Sequence, residues 1–182
     1  PGSIQHILLA MACEREFGDS KTLDNLLVAM KHSDGMGGLL AKKDITAHFT
    51  SPPYIFKELE VEGMHQLLSG YEAMGSEFTF IVGVATEKFY DNNPEVYRAF
   101  IKGLNESIQY MNNNKSEVSQ LLAKEYGLSA EEVLKYITSE GMNYETEIKG
   151  LEKFSDFMYR NGYLNNNIEE INKLIWEDVL YE

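Results

Sequence analysis

The sequence predicts an α/β layer with a mostly parallel sheet, followed by a mainly helical region. In the first half, short helical segments alternate with short continuous apolar runs, and the connections are brief. In the second half, amphipathic segments follow one another with no strand-like run between them.

Taken in order, Ser3 is placed to cap a helix over 4–17, with Ile4, Ile7, Leu8 and Met11 on one face and Gly18 as the stop. "LLVAM" (26–30) has the continuous apolar character of a strand covered on both sides. "HSDG" then opens a short helix that ends near "AKKD", with Asp34 as its cap. Residues 45–49 form the next expected strand, a helix starts near Pro53, and "HQLLSG" (65–70) is a weaker strand candidate. "FTFIVGVAT" (78–86) is the strongest strand signal in the chain.

After it the pattern changes. Pro94 stands in the first turn of a long helix carrying Tyr97, Phe100, Ile101, Leu104, Ile108 and Met111, which "NNN" (112–114) ends. A helix over 116–126 runs into Gly127, and "SAEE" (129–132) is a capping box for the next. Ile148, Leu151, Phe154 and Met158 mark another helix, closed by Gly162, and 168–176 is a last amphipathic segment. Phe78, Phe80, Tyr97, Phe100, Phe154 and Phe157 are expected in the core. No internal repeat is visible.

Composition narrows the functions. The 182 residues carry 29 acidic and 16 basic side chains, a net charge of −13, and no basic cluster longer than Lys42–Lys43. Phosphate neutralisation needs a basic face, so nucleic acid is not an expected partner. The longest apolar runs are far too short to span a bilayer. A single cysteine, Cys13, excludes an internal disulfide and a cysteine-rich metal site. His6, His32, His48 and His65 have no metal-site spacing, so no metal or cofactor is expected. "SDGMGG" (33–38) lacks the lysine of a phosphate loop, and the pairs Glu58/Glu60 and Glu131/Glu132 read as solvated charge.

Two loops have ligand-binding chemistry. Gly2 and Ser3 open a helix whose free N–H groups, beginning at Ile4, and positive partial charge favour an anion; His6 lies in the same first turn. Thr50 and Ser51 follow an expected strand at a corner stiffened by Pro52 and Pro53, which would hold two hydroxyls at low entropic cost. The alternative is that Ser3 and Ser51 only cap helices and the prolines only start one.

"PGSIQHILLAMA", "ITAHFTSPPY", "FTFIVGVATEKFYDNNPEVYRAFIKGLNESIQYM", "FSDFMYRNGYL" and "IWEDVLYE" resemble, in order, the substrate-binding proteins of ABC importers of the nitrate, sulfonate and taurine type, the group also called NMT1/THI5-like. The resemblance implies a bilobed receptor with the periplasmic-binding-protein type II fold and a ligand held between two α/β lobes. It matches Gly2 and Ser3, and Thr50 and Ser51, to polar segments that line the cleft, with Ile4 and His6 in the adjoining turn. Members of that family carry a signal peptide and most of a first lobe ahead of the segment matched here. On that comparison 1–77 is expected to be the second α/β lobe, and 78–182 a crossing strand and C-terminal helices returning to the first. The implied protein is not an enzyme. It is the extracytoplasmic solute-binding component of an importer, with a small anionic solute and ABC permease subunits as partners, and it meets the membrane only through the permease or an N-terminal anchor. A ligand-sensing domain of a regulator would share the frame. A pyrimidine-precursor synthase would need a cysteine-rich loop that a chain with only Cys13 lacks.

Overall fold

The computed structural model describes residues 2–166, 168 and 170–176, without the side chains of 171 and 172. It corrects the expected fold class. The chain is 56% helix with no strand among the described residues, so there is no parallel sheet and no α/β lobe.

The reason lies in what an apolar run specifies. A run such as 26–30 or 78–86 favours extended backbone locally, but a strand exists only when a second segment supplies the ladder. The runs do leave the helical region: Leu27, Lys31, Ser69 and Thr86 all have extended backbone. Their ladder partners are missing among the described residues. In 78–86 the inter-segment bonds are those of Thr79, whose N–H donates to Lys149 O at 2.9 Å and whose Oγ1 accepts from Lys149 N–H at 2.8 Å and meets Glu147 O at 3.4 Å. The apolar side chains beyond it face solvent, Val84 at 92% exposure and Ile81 at 80%.

The chain divides into two compact units. The first comprises Pro1–Phe78 and Glu152–Asn167. Its centre is helix α1 (Ile4–Phe17), which starts as the sequence dictates: Ser3 Oγ accepts from His6 N–H at 3.3 Å, and Gly18 ends the helix in the left-handed region at φ 77°. Ile7, Leu8, Ala10, Met11, Ala12 and Cys13 are all buried, too many for a single stripe, so the middle of α1 is enclosed. Helices α2 (His32–Leu40) and α3 (Tyr54–Leu59) follow, then α4 (Gly70–Met74), opened by a capping box between Ser69 and Glu72. Ala73 and Met74 of α4 and Phe157 of the returning helix α9 (Leu151–Arg160) complete the core around α1, with Ile4, Phe49, Leu68, Phe78, Phe154, Met158 and Tyr163 packed against it.

Polar bonds lock these helices. Arg15 donates to Glu72 O at 2.8 Å and Ala73 O at 3.1 Å, placing a cation at the carbonyl end of α4. Glu14 accepts from Arg160 at 3.2 Å and from Asn161 at 3.0 Å, and Ser20 donates to Asn161 Oδ1 at 2.7 Å.

The second unit comprises Thr79–Leu151 and Ile168–Glu182. It is a succession of helices: α5 (Glu87–Asn92), α6 (Pro94–Asn113), α7 (Lys115–Tyr126) and α8 (Ala130–Ile137). Pro94 opens α6, Gly127 ends α7 at φ 64°, and Ser129 with Glu132 forms the capping box of α8. The α7–α8 hairpin buries Val118, Val133, Tyr136 and Ile137. Tyr90 stacks on Trp176 at 4.6 Å, with Tyr97 edge-on to both rings.

Further expectations are corrected. Phe80 and Phe100 are exposed, not core. Asp34 is not the cap of α2, which begins after Lys31 and has Asp34 in its first turn. Ile148 lies before α9. Within the expected segment 168–176, residue 169 lies outside the described residues, and one 3-10 turn, Ile171–Leu174, is present.

Candidate functional site

All six residues expected to contact a ligand fall in the first unit, in two groups. The first group is the start of α1. Ser3 holds the N–H of His6, and its carbonyl accepts from Ile7 N–H at 3.0 Å. The N–H groups of Ile4 and Gln5 belong to the set that an α-helix leaves without an internal acceptor. The Ile4 side chain packs against the core, so only its backbone is offered outward.

Gly2 and His6 close this end. Gly2 N–H donates to His6 Nδ1 at 2.9 Å, which requires a lone pair there and puts the ring proton on Nε2. Nε2 faces Asp24 Oδ1 at 3.4 Å, and Tyr163 meets the ring edge-on at 5.6 Å. Burial pushes the Tyr163 hydroxyl above its usual range, with the Asp24 carboxylate and the Cys13 thiol adding to it. Burial likewise pushes Cys13 up, against a backbone hydrogen bond at Leu23, with Asp24 and Asp19 reinforcing the rise. The result is an unreactive thiol in the buried part of α1.

The second group is the corner 49–54. Thr50 Oγ1 lies 2.8 Å from His32 Nδ1. The Ser51 carbonyl accepts from Tyr54 N–H at 3.1 Å and from Ile55 N–H at 3.4 Å, so the corner is tied to α3 through its backbone. No bond joins the Ser3 group to the Thr50 group among the described residues.

Behind Thr50 stands a cluster that sequence spacing did not disclose. His32 stacks on Tyr54 at 5.6 Å and meets the His48 ring at the same separation. His48 Nδ1 is bonded to Glu58 Oε1 at 2.7 Å. Glu58, expected to be solvated charge, is only 3% exposed, and its fixed partner explains how a carboxylate can sit there. Gly35 presses on the same ring: a Cβ at that position would lie 2.5 Å from His48 Nε2. That nitrogen is therefore closed to a metal or substrate, and the His48–Glu58 pair acts as support. No group of three or more potential metal ligands occurs among the described residues.

Elsewhere in this unit, a surface groove of about 660 Å³ is lined by Leu9, Cys13, Phe17, Leu23, Leu67 and Leu68 among others, and includes none of the six expected residues. No described helix is long and apolar enough to cross a membrane. Comparison with models of known families, with curated proteins and with solved structures gives no significant match.

Proposed function

We propose that this chain supplies ligand-contacting surface to the extracytoplasmic solute-binding component of an ABC importer, and that the solute is a small anion such as a sulfonate, taurine or nitrate. One observation carries the reading: the two segments with the right chemistry are held by fixed hydrogen bonds, from His6 N–H to Ser3 Oγ and from Gly2 N–H to His6 Nδ1 at the start of α1, and between Thr50 and His32. The reading depends on the Ser3 and Thr50 hydroxyls and the first-turn N–H groups held in place there, and not on a sheet. Contact donors without formal charge suit an anion even in a chain of net charge −13, because distant charges are screened over roughly 8 to 10 Å in physiological salt. Asp24 limits the Ser3 end, since its carboxylate opposes an anion there.

A nitrogen-resolved NMR titration with nitrate, taurine and sulfate, and a cation series as control, tests this. Saturable shifts at Ser3, His6, Thr50 and Ser51 with an anion are expected, in roughly the millimolar range of a site with few contacts. Ser3→Ala with Thr50→Ala should weaken the response by roughly 1 to 3 kcal/mol. Shifts with cations only, or none at these residues, would overturn the reading. Recognition by permease subunits is the second half of the proposal, and co-purification with them is its check.

A further inference from the structure

We infer that helix α6 pairs antiparallel with α6 of a second copy of this chain, through an apolar face that the chain's own packing leaves open. α6 is apolar on two adjoining faces. One, with Tyr97, Ile101 and Ile108, turns into the second unit, where Tyr97 is buried and the two isoleucines are half-buried. The other carries Val96, Phe100, Gly103, Ser107 and Tyr110, spaced alternately four and three apart, the repeat by which one helix lies along another. Its large side chains Val96, Phe100 and Tyr110 are exposed, as is Leu104 at its edge.

Two details suit this face to close contact. Gly103 lies mid-helix, where glycine is destabilising relative to alanine, yet a Cβ there would have no described atom within 4 Å. Packing within the chain does not call for a glycine, whereas approach of a second backbone does. Ser107 donates its hydroxyl proton to Gly103 O at 2.7 Å, so it brings no unmatched donor to an apolar interface.

Charge selects the occupant. Lys102 and Glu106 flank the face on its solvent side, 3.9 Å apart and both well exposed. Set antiparallel, with Gly103 opposite Ser107 of the second copy, each helix brings its Lys102 beside the other's Glu106, and Phe100 meets Tyr110. Set parallel, Lys102 would meet Lys102 and Glu106 would meet Glu106. The pattern is therefore self-complementary in one direction only, and a two-fold pair of identical chains satisfies it twice. Glu117 takes up the Tyr110 hydroxyl, which leaves the ring for this contact. The paired stretch from Phe100 to Tyr110 is about 16 Å long and covers far less than the roughly 800 Å² per partner of a stable dimer. The association is accordingly weak, with a midpoint of about a millimolar.

The test is sedimentation equilibrium of the whole 182-residue chain, from about a hundredfold below that midpoint to a few times above it, in physiological salt that screens repulsion between copies of net charge −13. The mass should move from monomer towards dimer. Gly103→Leu fits the open space of the single chain, so it should keep or raise the thermal midpoint while weakening association at least about tenfold; Phe100→Arg should weaken it as much. Lys102→Glu should weaken it about threefold, and Lys102→Glu with Glu106→Lys should restore it. Val84→Arg, at the most exposed apolar side chain of the same unit, should leave it unchanged. A monomer at every concentration overturns the inference, as does association that survives both Gly103→Leu and Phe100→Arg or is lost with Val84→Arg. Association that ignores the charge of Lys102 overturns the antiparallel pairing.

Discussion

Helices α1 and α6 teach opposite lessons about patterning. In α6 the apolar residues recur with clear helical spacing over 20 residues, yet only Tyr97 is buried and Phe100 stands 62% exposed. In α1 the apolar residues run almost around the helix, and six of its side chains are buried. Amphipathic spacing specifies that a helix forms and which side is apolar. What covers that side depends on segments remote in sequence: for α1 these are α4, sixty residues on, and α9, about one hundred and fifty on.

The largest expected effect sharpens that contrast. Leu8→Ala should destabilise the first unit by about 2 to 5 kcal/mol, whereas Phe100→Ala in α6 should cost less than about 1 kcal/mol, because little packing is lost. Chemical denaturation of both variants checks this, and equal losses would show that α6 is covered as thoroughly as α1. Next comes the buried pair. Glu58→Ala leaves His48 without its partner and should cost about 2 to 4 kcal/mol, far more than Glu60→Ala on the exposed side of the same turn. Gly35→Ala tests the same cluster from the other side. Its new methyl would collide with the His48 ring, for an expected loss of about 1 to 3 kcal/mol in thermal unfolding.

The smallest effects compare the capping boxes of the two units. Ser69→Ala and Ser129→Ala should each cost about 1 kcal/mol, read from helix content and midpoint together. For Ser69 the loss should also depend on pH. The bonds from Ser69 to Glu72 hold that carboxyl below its usual range, so their contribution is present above the ordinary carboxylate value and disappears as pH falls through the depressed one. The difference between parent and Ser69→Ala should therefore shrink in strong acid. A constant difference down to the lowest pH would mean that the Ser69 hydroxyl adds nothing to the hold on the Glu72 carboxylate, leaving the backbone N–H of Ser69, which the variant keeps, as its donor.

How much of this was legible depended on range. Ser3, Gly18, Pro94, Gly127 and the Ser129–Glu132 box all act within four residues, and the helix ends they mark are where the sequence places them. The runs 26–30 and 78–86 were misread because a strand needs a neighbour, and local composition cannot supply one. The same limit hid the cluster behind Thr50. Thr50 and His32 are 18 positions apart, and His48 and Glu58 are ten apart, with no periodicity linking them. Two signals were available in the letters: a histidine two residues before Thr50, and a glycine, Gly35, just past His32 in a helix that gains nothing from it. Neither is specific without coordinates.

The lone thiol has a practical consequence. Cys13 is enclosed in the middle of α1 and held in its unreactive form by burial. Although Cys13 lines the surface groove of this unit, it is only 2% exposed, so labelling by an alkylating reagent in excess is expected to accelerate when α1 shifts against its neighbours. The rate of labelling is thus a clock for opening of the first unit, built into the native sequence and needing no engineered probe.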